Sequence, residues 1–275
     1  PSIRQDKAQN IINLIDEGNT IPFIARYRKE MTGSCDDQVL REFNDRLTYL
    51  RNLEKRKEEV TKSITEQGKM TDEIAKALDA ALTLTEVEDI YRPYKQKKKT
   101  RASVAIERGL QPLADFILAQ DKNADVMAEA QKYIDEEKGV ATAEDAIAGA
   151  KDIIAEIVSD DANVRKKLRN LFMKNGEIET RLVNADKVEA KVYEMYADYS
   201  ENIAEIKSHR VLAVNRGEKE GFLKVRICFN DEIAKRIAGA GYLKDGGYST
   251  QLVKEAVEDS YDRLIFPSIE REIRA

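Results

Sequence analysis

The sequence predicts a mainly α-helical protein with an elongated multi-helix architecture and a small amount of β-structure after Gly176. Three observations predict it. Residues 38–67 contain neither Pro nor Gly, and Leu40, Phe43, Leu47, Leu50, Leu53, Val60 and Ile64 recur along them, broken only at the polar Lys57. That is the spacing of one helix face. Short oxygen-bearing side chains followed by acidic first turns recur at Asp36, Thr71 and Thr142, as helix starts favour. After Gly176 the texture changes. Ile178, Thr180 and Leu182 alternate with charged residues, and Leu223, Val225 and Ile227 alternate with Lys224 and Arg226, the period of a half-buried strand.

Taken in order, Asp36 and Asp37 open a helix over 36–67, which Gly68 ends in a left-handed conformation. At 1.5 Å per residue it would run about 45 Å. Thr71 caps the next helix, with Asp72 and Glu73 near its positive end. A short helix over 86–91 stops at Pro93, and 95–100 is an exposed connection. Residues 104–108 and 111–120 are helical on either side of Gly109. A helix over 125–138 is closed by Gly139. Thr142, with Asp145 three residues on, opens a helix over 143–158. Another over 161–174 is punctuated by Gly176. Strands at 178–182 and 222–229 are expected to pair. Between them, 192–199 and 209–219 read as helices, the second capped by Ser208 and ended near Gly221. Four glycines make 239–248 the most loop-like stretch. A last helix runs from Ser249 toward Ala275, kinked by Pro267. The chain thus reads as a helical region 1–175, a mixed region 176–248 and a closing helix 249–275.

Composition bounds the function. The 275 residues are 42% hydrophobic and 35% charged, with a net charge of -5, which suits amphipathic helices in water. No apolar run nears the roughly 20 residues that span a bilayer, and no signal-peptide pattern is present, so no membrane association is expected. A start at Pro1 without Met suggests a fragment. Cys35 and Cys228 are far apart, which argues against a disulfide framework. With His209 as the single histidine, the usual structural zinc set cannot be assembled. The acidic balance disfavours nucleic-acid affinity over the whole surface but leaves room for a local patch.

No Walker A loop, G-x-S-x-G elbow or H-E-x-x-H helix occurs, and Gly239-Ala240-Gly241 lacks the third glycine of a dinucleotide fingerprint. His209 reads as a capping or packing residue. Asp36/Asp37 and Asp160/Asp161 read as helix N-terminal charge, because adjacent helix residues do not converge on one metal. No catalytic turnover, metal or cofactor is therefore expected. Positive charge, by contrast, is clustered. Arg92, Lys95, Lys97, Lys98, Lys99 and Arg101 run with no acidic residue between Asp89 and Glu107, beside Tyr91 and Tyr94. Arg26, Arg28 and Lys29 surround Phe23, Ile24 and Tyr27. Cations beside aromatics suit phosphate and base contact, so these nine basic residues are the candidate nucleic-acid-binding set. The competing readings are a solvated lysine loop with both tyrosines packed inward, and pairing of the 26–29 cations with the acidic helix start at Asp36.

The runs GNTIPFIARYRKEMTG, TLTEVEDIYRPYKQKKKTRASVAIERGLQPLA, EKGVAT and SHRVLAVNRGEKEG with FLKV resemble the N-terminal half of the bacterial Tex transcription accessory proteins, over nearly all of 11–275. The resemblance implies a cytoplasmic, mostly helical, elongated protein, similar to the core of a eukaryotic transcription elongation factor. Beyond this region the family carries an RNase H-like domain, helix-hairpin-helix units and a C-terminal OB-fold domain credited with most nucleic-acid binding. The expected role is then a non-enzymatic scaffold and interaction region acting in transcription. Its expected partners are RNA or DNA, through the parent protein, and transcription machinery. The alternative is a directly nucleic-acid-binding helical domain with helix-turn-helix-like units and a basic patch from Lys95 to Arg101. A nuclease reading needs an acidic cluster on strands, and the strands read here carry none.

Overall fold

The computed structural model describes residues 3–275. The chain forms two compact units, one running to Tyr91 and the other from Arg92. It is mainly α, with one small sheet, as the hydrophobic periods predict.

The first unit is built along α4 (Asp37–Glu66), a single 30-residue helix. It starts where Asp36 accepts the Val39 N–H at 2.9 Å and ends beside Gly68, whose φ of +67° favours glycine. α1 (Gln5–Asp16), α2 (Ile21–Tyr27) and α3 (Lys29–Thr32) precede it. Ile11, Leu14, Ile24 and Leu40 form one small core there. α5 (Asp72–Ala80) and α6 (Leu84–Tyr91) follow it. They are tied to its C-terminal part by Arg56–Glu88 at 2.6 Å, Lys57 Nζ to the Asp79 carbonyl at 3.0 Å and Ser63 to Tyr91 at 3.0 Å. The stripe is consequently not buried throughout. Leu40, Leu53, Val60 and Ile64 are buried, Leu47 is half-buried, and Leu50 is 41% exposed. The short helices cover the two ends of α4 and leave the middle less covered.

The second unit centres on α10 (Ala143–Asp160), nine of whose residues are buried. Around it pack α7 (Arg101–Glu107), α8 (Gln111–Ala119), α9 (Val126–Gln131) and α14 (Tyr248–Ser260). Small residues allow this close approach. A Cβ on Gly149 of α10 would overlap the buried Leu110 side chain. α9 is shorter than the 125–138 helix expected. Past it, Asp135 and Val140 exchange backbone hydrogen bonds at 2.8 and 2.9 Å, and the Asp135 carboxylate accepts the Glu137 N–H at 3.1 Å. This local competition for backbone donors ends the helix. α11 (Ala162–Asn175) is capped by Asp161.

β1 (Glu177–Leu182), β2 (Asp198–Asn202) and β3 (Leu223–Cys228) form an antiparallel sheet in the order β2-β1-β3. The two expected strands pair from Glu177 opposite Cys228 to Leu182 opposite Leu223. β2 corrects the helical reading of 192–199: a 3-10 segment covers Val188–Tyr196, and the chain turns into a strand two residues later. The buried Thr180 hydroxyl donates to the Tyr196 carbonyl at 2.6 Å and fastens that junction. α12 (Ser208–Lys219) begins without a side-chain cap, so Ser208 is a first-turn residue and not the expected cap. His209 beside it is exposed and makes no hydrogen bond among the described residues, contrary to a capping or packing role. α13 (Asp231–Gly239), unread in the sequence, is capped by Asn230.

The closing helix is interrupted as expected. A π-turn over Tyr261–Ile265 joins α14 to α15 (Phe266–Arg274), with Pro267 in the first turn of α15. Buried polar groups anchor this segment. The Ser260 hydroxyl donates to the Ala155 carbonyl at 2.6 Å. Arg165 of α11, fully buried, reaches Ser268 at 2.8 Å and Glu272 at 2.7 Å. Buried Gln120 accepts the Lys244 N–H at 2.9 Å and donates to the Tyr242 carbonyl at 2.7 Å.

Candidate nucleic-acid interface

The Arg92–Arg101 segment is a 3-10 turn, Arg92–Tyr94, then an irregular stretch to Thr100, which caps α7. The cap is reciprocal. Thr100 accepts the Ser103 N–H at 3.0 Å, while Ser103 accepts the Thr100 N–H at 2.8 Å. Two of the donors freed at this helix start are therefore already used.

The six cations of the segment fall into two groups. Arg92 and Lys97 turn toward the C-terminal end of α10. Arg92 Nε faces Asp160 Oδ1 at 3.2 Å, though neither atom gains a well-formed hydrogen bond. Lys97 pairs with Asp160 and lies 3.5 Å from Glu156. Burial holds the Asp160 carboxyl above its usual range, against the pull of Lys97. The charge that looks unopposed in sequence is thus opposed from about sixty residues away. Asp160 is therefore not the helix N-terminal charge expected. Its neighbour Asp161 is one: it caps α11 and also accepts the Tyr242 hydroxyl at 2.6 Å.

Lys95, Lys98, Lys99 and Arg101 are exposed and form no ion pair among the described residues. Tyr91 is half-buried, bonded to Ser63 at 3.0 Å and covered by Arg56 at 5.4 Å from its ring centre. Its ring is committed to packing, as the solvated-loop reading holds for this residue.

Sequence reasoning passed over Arg108. It lies seven positions after Arg101, so the two share a face of α7 and its cap, about 10.5 Å apart along the axis. With the helix start read at 104, that register was hidden. Arg108 is half-buried and has no ion pair among the described residues. Its guanidinium occupies the space that a side chain on Gly139 would need, with Nη2 only 3.2 Å from where a Cβ would stand. Together with Lys99 and Arg101 it lines a cavity of about 460 Å³ between α7 and α10.

The other candidate cations lie on the first unit. Arg28 stacks 5.1 Å over Phe23, Arg26 lies 6.0 Å from the Tyr27 ring centre, and Phe23 and Tyr27 contact at 5.2 Å. Tyr27, Arg26 and Lys29 are exposed. These cations do not pair with the acidic start of α4: Asp36 caps the helix, and Asp37 takes Arg41 at 2.6 Å. Among the described residues no group of three or more His, Cys, Asp or Glu is placed to hold a metal ion, and no helix is long and apolar enough to cross a membrane.

Comparison with known proteins gives two family matches. A model described as Tex central region-like matches residues 121–275, and one described as Tex-like protein N-terminal domain matches residues 1–65. A Bacillus subtilis protein named Uncharacterized protein YdcI is 48% identical over 274 residues, covering 99% of this chain and 38% of that protein. The Transcriptional accessory protein Tex of Neisseria gonorrhoeae is 44% identical over 221 residues, covering 80% of this chain and 29% of its own length. The human S1 RNA-binding domain-containing protein 1 is 30% identical over 282 residues, covering 97% of this chain and 28% of its own length. The chain therefore spans well under half of each of these relatives.

Proposed function

Because the chain belongs to the Tex-like family, we propose that it is a non-enzymatic helical scaffold and interaction region of a nucleic-acid-binding protein that acts in transcription in the cytoplasm. The observation that carries this reading is the fastening of α14 and α15 to the body of the second unit. Gln120, Ser260 and Arg165 are buried polar anchors, each bonded to a residue more than 100 positions away. Such groups are costly unless satisfied, and when satisfied they hold one arrangement of elements. A frame of this kind keeps attached binding modules at a set spacing. The printed names of two relatives, a transcriptional accessory protein and an S1 RNA-binding domain protein, supply the biological setting.

A directly nucleic-acid-binding helical domain is the second reading, favoured by the exposed Lys95, Lys98, Lys99 and Arg101, which form no ion pair among the described residues. Titrating labelled single-stranded RNA with this chain and with the longer Bacillus subtilis relative separates the two. The scaffold role expects the chain alone to bind at least about 100-fold more weakly, since few phosphate contacts are available to it. Equal affinities would overturn that role in favour of direct binding.

A further inference from the structure

We infer that the groove between α7 and α10 binds the phosphodiester backbone of a single-stranded nucleic acid, through Lys99, Arg101 and Arg108. The inference rests on the family's link to nucleic acid and is independent of the scaffold role.

Half of a guanidinium side chain's surface is not removed from water without a reason, and a half-buried arginine ordinarily has a carboxylate partner. Arg108 has no ion pair among the described residues, nor has Lys99, while Arg101 feels only the Asp152 carboxyl across the same cavity. All three line the same cavity. The Gly139 turn, with φ of +77°, packs its bare Cα against the Arg108 guanidinium. Arg108 is thus positioned by packing and left electrostatically open.

Two acids, Asp145 and Asp152, share the cavity. Asp152 lies 3.7 Å from Arg263, which is itself held by Asp259 at 2.7 Å. Asp145 sits in the first turn of the 18-residue α10, where the helix dipole offsets negative charge. Asp152 is drawn by Arg263 and also by Arg101 of the cavity itself, so Arg101 is partly opposed, and the three cations of the cavity still outnumber its two acids.

Arg101 and Arg108 are two helical turns apart on one face, so the cations form a line and not a point. Val104, Ala148 and Gly149 also line the cavity, leaving a floor of short side chains with room for a sugar or base beside each phosphate. A cavity of about 460 Å³ admits one flexible strand. A duplex presents its phosphates on a rigid cylinder with a major groove of about 12 Å, which does not enter a space of this size. Lys95 and Lys98, exposed just before the groove, extend the positive track. Thr100 and Ser103 occupy two of the donors at the helix start, so the side-chain cations carry the contact.

The test is fluorescence anisotropy of this chain with labelled 12-nucleotide oligo-U and oligo-dT between 50 and 200 mM salt. Three phosphate contacts on a single strand predict a log–log slope near -2, which is about an 18-fold loss of affinity over that range. Arg101→Gln with Arg108→Gln should leave a slope near -0.7, or about a threefold loss. Because Arg108 packs on the Gly139 turn, a second variant, Lys99→Glu with Arg101→Glu, changes only exposed side chains and should abolish binding at 50 mM salt. Lys191→Gln, an exposed control, should leave both affinity and slope unaltered. Unlabelled 12-mer should displace the probe far better than uridine monophosphate or a 12-base-pair duplex at equal phosphate concentration. Wild-type slope in both groove variants, absence of binding by the wild type at 50 mM salt, or equal displacement by nucleotide or duplex would each overturn the inference. Absence of binding by the wild type would overturn the inference and leave the scaffold role standing, whereas affinity equal to that of the longer relative would overturn the scaffold role and leave the inference standing.

Discussion

At the scale of single residues, exposure decides what each side chain of a sequence pattern contributes. Leu50 and Leu53 belong to the same stripe, yet Leu50 is 41% exposed and Leu53 is 3% exposed. Leu53→Ala should cost about 2–5 kcal/mol, the price of a buried cavity. Leu50→Ala should stay within about 0.5 kcal/mol, as surface changes do. Paired urea titrations check both values, and equal losses would show that the middle of α4 is covered in solution. The same logic separates the cations. Arg92 and Lys97 are spent on Asp160, while Lys99, Arg101 and Arg108 are not. A lysine run read as one patch is therefore two kinds of residue, and the difference lies in a carboxylate that is remote in sequence.

At the scale of elements, the fastening of α15 to α11 has a pH signature. Burial works against ionisation of Glu272, but Arg169 and Arg165 outweigh it and leave its carboxyl below the usual value of 4.5. A carboxylate lowered on folding stabilises the fold fully above its unfolded value, and that stability is lost as pH falls through the folded value. Chemical denaturation of Glu272→Gln and the wild type should therefore give a stability gap that is widest above about pH 5 and closes progressively below about pH 4.5. Glu272 keeps about a third of its surface in water, so the gap should be smaller than for a fully buried pair. A gap that is constant from pH 7 to pH 3 would show that the contact acts through packing and not through charge. Elements also explain the misread segments. Residues 192–199 carry helix-compatible residues, but β1 supplies an open edge and β2 fills it. That edge cannot be seen in a local window.

At the scale of the whole molecule, the division between Tyr91 and Arg92 makes a prediction of its own. The stretch 95–99 lacks helix or strand, and its lysines are exposed. Brief trypsin treatment under native conditions should cut first after Lys95, Lys98 or Lys99, leaving one fragment ending in this stretch and one beginning there. Mass spectrometry of early time points reads the sites. First cleavage within α10 or α4 would contradict the two-unit organisation. The second unit holds the larger core, from Ala102 to Ile269, and should survive such cleavage as a folded piece.

Much of this protein was determined by its sequence alone. The mainly helical class, the length of α4, the caps at Asp36, Thr71 and Thr142, the strand character of β1 and β3, and the break before Pro267 follow from local rules. Hydrophobic period, capping chemistry and backbone restriction act over a few residues, so a local reading reaches them. The family resemblance was also legible, because long runs of residues carry it. Tertiary structure alone decided which stripe positions are buried, the third strand and the partition of the basic segment. It also set the Gly139 turn, about thirty residues away, against the Arg108 guanidinium. Those outcomes depend on burial, on strand edges and on charges brought together from tens of residues away, and electrostatic free energy follows distance in space, not distance along the chain.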